Sequence, residues 1–396
     1  MITENSNSDH NLDLKGTIRE AILQPMDTQA YSTWLEIDLG AIRHNVKAIK
    51  RMTQTQVMAV IKANGYGHGV LQVAQAAIQA GATWCGVARM EEAINLRLAG
   101  IQAEVMVLGY TPPALIPEAI HHNIHVAIYD TEMARVYAEK GRERGGKLRA
   151  HLKVDTGMGR LGMNPNKAAE FLSDYKDHPV INIEGIFTHF ARADEPGSGS
   201  AEGQLKIFNQ LLDDLRQLGL CPDFVHAANS AAVVNFPQAF FDMVRPGIAI
   251  YGLHPSPETR LPPSFKPALS WKTRLTSVRV LPSGHGVSYG SVYVTSGNER
   301  IGVIPVGYGD GYRRENGQQV LVGGQCVNIV GRVCMDQSML QLDAVPDAKV
   351  GDEVVLLGSQ GAATISAEDL ADRWGTINYE VVCGFADRLP RLYKNK

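Results

Sequence analysis

From Trp34 onward the chain alternates two patterns. Short runs rich in apolar and β-branched residues are followed by longer stretches whose apolar positions recur every three or four residues. The short runs are "VMAVIKA", "TWCGVA", "VMVLGY", "IHVAIYD", "LRAHLKVD", "INIEGIFTHF", "DFVHAAN" and "MVRPGIAIYG". They read as strands, each closed by Gly, Asn or Pro. Helical spacing fills stretches such as Val70–Ala80, Glu91–Ala99, Thr131–Arg144, Pro165–Tyr175 and Glu202–Leu218. About eight strands, each but the last followed by a helix, lie within roughly 200 residues. That count and alternation predict an α/β fold of the (β/α)8-barrel type rather than an open doubly wound sheet.

Past about Pro267 the helical period nearly vanishes. Short strands separated by turns take over: "TRLTSVRVL", "RIGVIPVGY", "QCVNIVG", "MLQLD" and "DEVVLLG". One helix is expected at Ser366–Trp374, opened by a Ser-x-x-Asp box. The pattern divides the chain into an N-terminal tail (1–32), a barrel (33–266) and a smaller, mainly-β C-terminal domain (267–396). The tail is rich in Asn, Ser and Asp, and Leu14, Ile18, Ile22 and Leu23 carry the spacing of one short amphipathic helix.

Composition narrows the function classes. The 396 residues are 44% hydrophobic with a formal charge of -3, which gives no electrostatic reason to expect nucleic acid or an anionic membrane as partner. No apolar run approaches the roughly 20 residues of a membrane span. The N-terminus lacks the plan of a signal peptide. Five scattered cysteines with no C-x-x-C fit a reduced, cytoplasmic protein. No metal site is expected, since His121–His122 is not ligand spacing.

The polar residues at the strand ends are where barrel chemistry collects. Lys62 closes the first run, and Lys153 with Asp155 closes the fifth, with Arg160 in the loop beyond. His189 closes the sixth run, Asn229 and Ser230 the seventh, and the eighth carries Arg245, Gly247 and Ile248. Singly, each has an ordinary explanation: a solvated lysine, a structural histidine, a helix cap, a turn. Together they suggest a ligand. Loops after strands seven and eight are the usual phosphate seat of such barrels. "NSAAV" offers a hydroxyl and a helix start there, and Gly247 allows close backbone approach. A lysine facing a phosphate pocket suits pyridoxal 5'-phosphate, with Arg245 as partner of its pyridine nitrogen.

The motifs "AVIKANGYGHG", "HLKVDTGMGRLG", "FTHFARADE", "ANSAAV", "VRPGIAIYG", "VSYGSVY", "IPVGYGDGY", "GRVCMDQ" and "TINYEVVC" occur in this order. With them the chain resembles the bacterial alanine racemases from about Trp34 to Tyr393. The resemblance implies a two-base racemase that interconverts L-alanine and D-alanine and supplies D-alanine for peptidoglycan. It implies that Lys62 bears the cofactor and that Tyr289 is the second base, assisted by a hydrogen-bond chain through His189 to Arg245. Tyr66, Ser230, Gly247, Ile248 and Tyr308 resemble the phosphate-binding positions, beside Asn229. Arg160 and Met335 resemble substrate-carboxylate contacts. Lys153 stands where a carbamylated lysine is often found, with a plain ion pair to Asp155 as the alternative. Lys62 and Tyr289 fall in different domains, and the family joins them in a head-to-tail homodimer with shared active sites. Related barrel decarboxylases are expected to carry a carboxylate at Arg245, and a mere cofactor carrier needs no Tyr289. One departure leaves a serine-and-alanine racemase open: Asp387, in "GFADRLPR", stands where some members are expected to carry a tyrosine.

Overall fold

The computed structural model describes residues 28–395, so the helix expected within 14–23 lies outside the described residues. The first strand, β1 (Thr33–Asp38), does not enter the barrel. It pairs antiparallel with Leu269–Arg274 and parallel with Arg391–Lys394. Asp38 then caps the helix Leu39–Thr53, its Oδ1 accepting from Ala41 N at 3.0 Å. That helix brings the chain to the barrel.

Eight parallel strands follow: β2 (Gln56–Val60), β3 (Trp84–Val87), β4 (Glu104–Val107), β5 (Ile124–Ile128), β6 (Leu148–Lys153), β7 (Ile181–Phe187), β8 (Phe224–His226) and β9 (Met243–Val244). They pair in sequence from β2 to β8, and β2 also pairs with β9. The ring closes through Asp242 N to Val225 O at 3.1 Å and Arg245 N to Ala228 O at 2.8 Å. β9 is only two residues long because Pro246 has no N–H to continue a ladder. Helices Thr131–Arg144 and Pro165–Tyr175 match the periodicity residue for residue. Leu39–Thr53 supplies the helix that β9 lacks, so among the described residues eight helices, apart from the short Lys62–Tyr66 turn, accompany the eight strands.

The β-rich domain is a sheet in which β10 (Leu269–Arg274) lies between β1 and Glu353–Gln360. "TRLTSVRVL" is two strands rather than one. At Leu275 and Thr276 the chain switches partners, from Glu353–Gln360 to Glu299–Ile304, because Leu275 N bonds Asp352 O and Thr276 N bonds Val303 O. Ser366 caps the helix Ala367–Trp374 in the expected box with Asp369. Among the described residues no helix is long and apolar enough to cross a membrane.

Candidate active site

β2 ends at Val60, and Lys62 opens an unusual turn. Ala63, Asn64, Gly65 and Tyr66 all have φ between 51° and 62°. Each non-glycine residue in that region costs about 1–2 kcal/mol, so the turn must be held from outside and within. Gly65 N donates to Ile61 O at 2.8 Å and Gly67 N to Ala63 O at 3.0 Å. Val70 N donates to Asn64 Oδ1 at 3.0 Å, and Ala63 N to Glu92 Oε1 at 2.7 Å. This explains the odd composition of "KANGYGHG": glycine and asparagine tolerate left-handed backbone. The turn delivers Lys62 and Tyr66 into one cavity of about 470 Å³ at the C-terminal ends of the barrel strands.

One wall of the cavity is a cradle. Ser230 Oγ accepts from Gly247 N at 2.8 Å and from Ala249 N at 3.2 Å, which leaves its own proton to donate. A Cβ on Gly247 would stand 2.5 Å from Tyr66 Oη, so only glycine admits the phenol here. Burial pushes the Tyr66 phenol well up, and it keeps its proton as a donor. Ile248 and Asn229 complete this wall. Asn229 is also an N-cap, its Oδ1 accepting from Ala232 N at 3.0 Å.

Cations gather on the other walls. Arg245, 4% exposed, donates Nη1–H to His226 Nδ1 at 3.0 Å, and Nη2–H to Thr188 O at 2.8 Å and Ala227 O at 3.0 Å. A longer contact of 3.4 Å reaches His189 Nδ1. Burial lowers the Arg245 guanidinium to about 9, so it remains a donor at neutral pH. Burial, then Arg245 and Arg160, hold His189 well below its ordinary value. Lys153 is 5% exposed and drops to about 8, by burial first and then by Arg160 and Arg245. Lys62 is lowered by burial and by Arg160. Lys62, Lys153, Arg160 and Arg245 around one small space suit an anionic ligand. The ion pair of Lys153 with Asp155 is not formed. Asp155 instead accepts from Gly157 N, Met158 N and Gly159 N and shapes the "DTGMGRLG" loop. No metal-holding cluster exists among the described residues.

Three expected residues lie elsewhere. Tyr289 (69% exposed), Met335 (54%) and Tyr308 (46%) do not line the cavity. They gather on one face of the β-rich domain. Ser288 Oγ lies 3.5 Å from Cys334 Sγ, and Tyr308 N donates to Cys334 O at 3.0 Å. Tyr289 is presented on a strained turn, with Ser288 at φ 65°, ψ -176° and Ser291 at φ 46°. Such a backbone on a serine costs of order 1–3 kcal/mol.

Against this geometry, residues 37–255 match the alanine racemase N-terminal domain and residues 268–393 the alanine racemase C-terminal domain. The alanine racemase of Symbiobacterium thermophilum is 46% identical over 364 residues, covering 91% of this chain and 97% of that protein.

The chain belongs to the alanine racemase family.

Solved alanine racemases superpose on it closely. The E. faecalis structure gives a TM-score of 0.88 at 39% identity, over 93% of this chain and 99% of that one. The Bacillus anthracis enzyme, solved with bound L-Ala-P, gives 0.87 at 39%, over 92% and 95%. The fold and the racemase class read from the motifs stand. Two further positions lie outside this chain's cavity. Tyr308, expected at the phosphate, shares the exposed face of the β-rich domain with Tyr289 and Met335, its loop packed on 334–335, where Gly309 N donates to Met335 O at 2.8 Å. The cavity takes its second phenol from Tyr379, on the helix Asn378–Cys383, with its ring 6.2 Å from that of Tyr66. Asp387 is exposed and does not line this chain's cavity. "TINYEVVC" carried the signal for Tyr379: a tyrosine in the first turn of a short helix, in a motif already part of the resemblance.

Proposed function

We propose that this racemase interconverts L-alanine and D-alanine with pyridoxal 5'-phosphate, in a head-to-tail homodimer whose sites each draw on both chains. The observation that carries the reading is the placement of Lys62 and Arg245 in one cavity, with the Ser230–Gly247–Tyr66 cradle between them. These residues fit the cofactor's three demands. Lys62 offers an amine biased toward its neutral, nucleophilic form. Ser230, Ile248, Tyr66 and Tyr379 supply donors for a phosphate, and Arg245 donates to a ring nitrogen without giving up its proton. When bound, the cofactor supplies an electron sink for the pair left on Cα.

The chain's own residues then move the protons. Lys62 Nζ takes or returns a proton on one face of Cα. Tyr289 Oη of a second copy does so on the other face, so substrate need not turn over. A phenol has a solution pKa of about 10 and needs help to act as base. A neutral His189 that accepts at Nδ1 has Nε2–H left to donate to that phenol oxygen. Arg160 and the Met335 backbone hold the substrate carboxylate. Lys153, nearly buried and easily neutral, is suited to react with carbon dioxide and become an anionic carbamate that orients Arg160. D-Alanine made here would serve peptidoglycan.

The test is chiral analysis of alanine after incubation with the holoenzyme. Wild type should racemise either enantiomer, and Lys62→Ala should lose about 10³-fold or more. Tyr289→Phe should still exchange the Cα proton of D-alanine with deuterium oxide, while exchange from L-alanine falls. Equal loss from both enantiomers would count against two bases.

A further inference from the structure

The barrel interior below the cavity holds His226, His151 and His125, none with any exposure. Branched aliphatic side chains ordinarily fill this space, and a buried imidazole needs partners for its nitrogens. Here the bonds run in one direction. Arg245 has only donors, so its 3.0 Å contact makes His226 Nδ1 the acceptor. A neutral His226 then carries its proton on Nε2, which lies 2.8 Å from His151 Nδ1. His151 Nδ1 is an acceptor in turn. Its remaining nitrogen, Nε2, has no hydrogen-bond partner among the described residues. The rings of Trp84 and His125 stand edge-on to His151, at centroid distances of 5.4 and 5.1 Å. Burial holds both His151 and His226 well below the ordinary imidazole value, so both are neutral.

The arrangement is seated by its neighbours. β7 sets Gly185 beside His151, where a Cβ would stand 2.4 Å from His151 Nδ1. Only a glycine leaves room for this ring in this position. Phe187 stacks flat on His226, with centroids 4.8 Å apart and planes 4° apart. The Arg245 guanidinium carbon lies 5.3 Å from the same Phe187 ring.

We propose that His151 is a positioning residue for racemisation: its Nδ1 lone pair takes the Nε2 proton of His226 and so secures, together with Arg245, the tautomer that leaves His226 Nδ1 to hold the guanidinium in its orientation toward the cavity. The consequence for the reaction rests on the reading that Arg245 faces the cofactor's ring nitrogen. Were His226 to carry its proton on Nδ1, two donors would face each other and the guanidinium would have to turn. Without an acceptor at His151, nothing selects the productive tautomer but Arg245 itself.

The experiment compares His151→Leu, which deletes the acceptor, with His151→Asn, which keeps an acceptor oxygen near the Nδ1 position. Nitrogen-15 spectra of histidine-labelled, cofactor-free protein report which His226 nitrogen is protonated. Wild type should show Nε2–H alone, His151→Leu a mixture, and His151→Asn a return to Nε2–H. In the holoenzymes, kcat of His151→Leu should fall about tenfold, the worth of one buried hydrogen bond. KM for alanine should stay within about twofold, and His151→Asn should recover most of kcat. A wild-type His226 protonated on Nδ1, or on both nitrogens, overturns the proposal without any variant. So does a folded His151→Leu that keeps a single Nε2–H tautomer and full kcat. The tautomer is read without cofactor or turnover, so a wild-type protein inactive on alanine would sink the racemase reading and leave this measurement standing.

Discussion

Lys153 shows how one buried charge ties stability to function. Its folded value of about 8 lies below the ordinary 10.5. Between those values the unfolded chain binds more protons than the folded one, so stability rises with pH across this window. Below about pH 8 the buried ammonium costs up to roughly 3 kcal/mol. In buffer free of carbon dioxide, Lys153→Met should therefore have the higher urea midpoint at pH 7. The gap should narrow as pH rises from about 8 toward 10.5. A pH-independent gap would show that Lys153 is not titrating as described. On the proposed carbamate, adding bicarbonate should raise the wild-type midpoint and leave the methionine variant unchanged, since the folded amine loses its proton at lower pH than the unfolded one and so reacts more readily.

At the scale of elements, the left-handed turn after β2 is the part that positions the chemistry. It is short, strained and held by another element. Glu92 Oε1 accepts from Ala63 N at 2.7 Å, while Oε2 accepts from Ala88 N at 2.8 Å and Arg89 N at 3.1 Å. One carboxylate thus joins the Lys62 turn to the start of the helix Met90–Leu98. Glu92→Ala should cost about 2 kcal/mol in chemical denaturation, from backbone donors left unpaired. It should also weaken cofactor affinity by about tenfold, because Lys62 and Tyr66 share the freed turn. Glu92→Gln, which keeps one acceptor oxygen, should fall between. Wild-type cofactor affinity in a folded Glu92→Ala would mean that the turn holds itself.

At the scale of the whole molecule, a single chain keeps the two proposed bases apart. The cavity contains Lys62, while Tyr289, Tyr308 and Met335 share an exposed face of the other domain. A second copy placed head to tail would bring that face over the cavity. Mixing inactive Lys62→Ala with inactive Tyr289→Ala chains should restore about a quarter of wild-type activity, because half the dimers would be mixed and each would hold one whole site. No recovery after proven subunit exchange would place both bases in one chain.

The barrel was legible along the chain because a strand's apolar run and a helix's period are local properties, and both recur in order. Lys62, Arg245, Ser230 and Gly247 were legible for a related reason: in a barrel, residues at strand ends converge wherever the loops lead. β1 was not, since nothing local to "TWLEID" says that its partners are Leu269–Arg274 and Arg391–Lys394. Nor was the packing of the loop 307–310 against 334–335, which sets Tyr308 on the same exposed face as Met335. The tautomer chain from Arg245 to His151 joins residues 75 and 19 positions apart. Spacing along the chain carries no trace of it, because its order comes from which lone pair meets which proton in the folded interior.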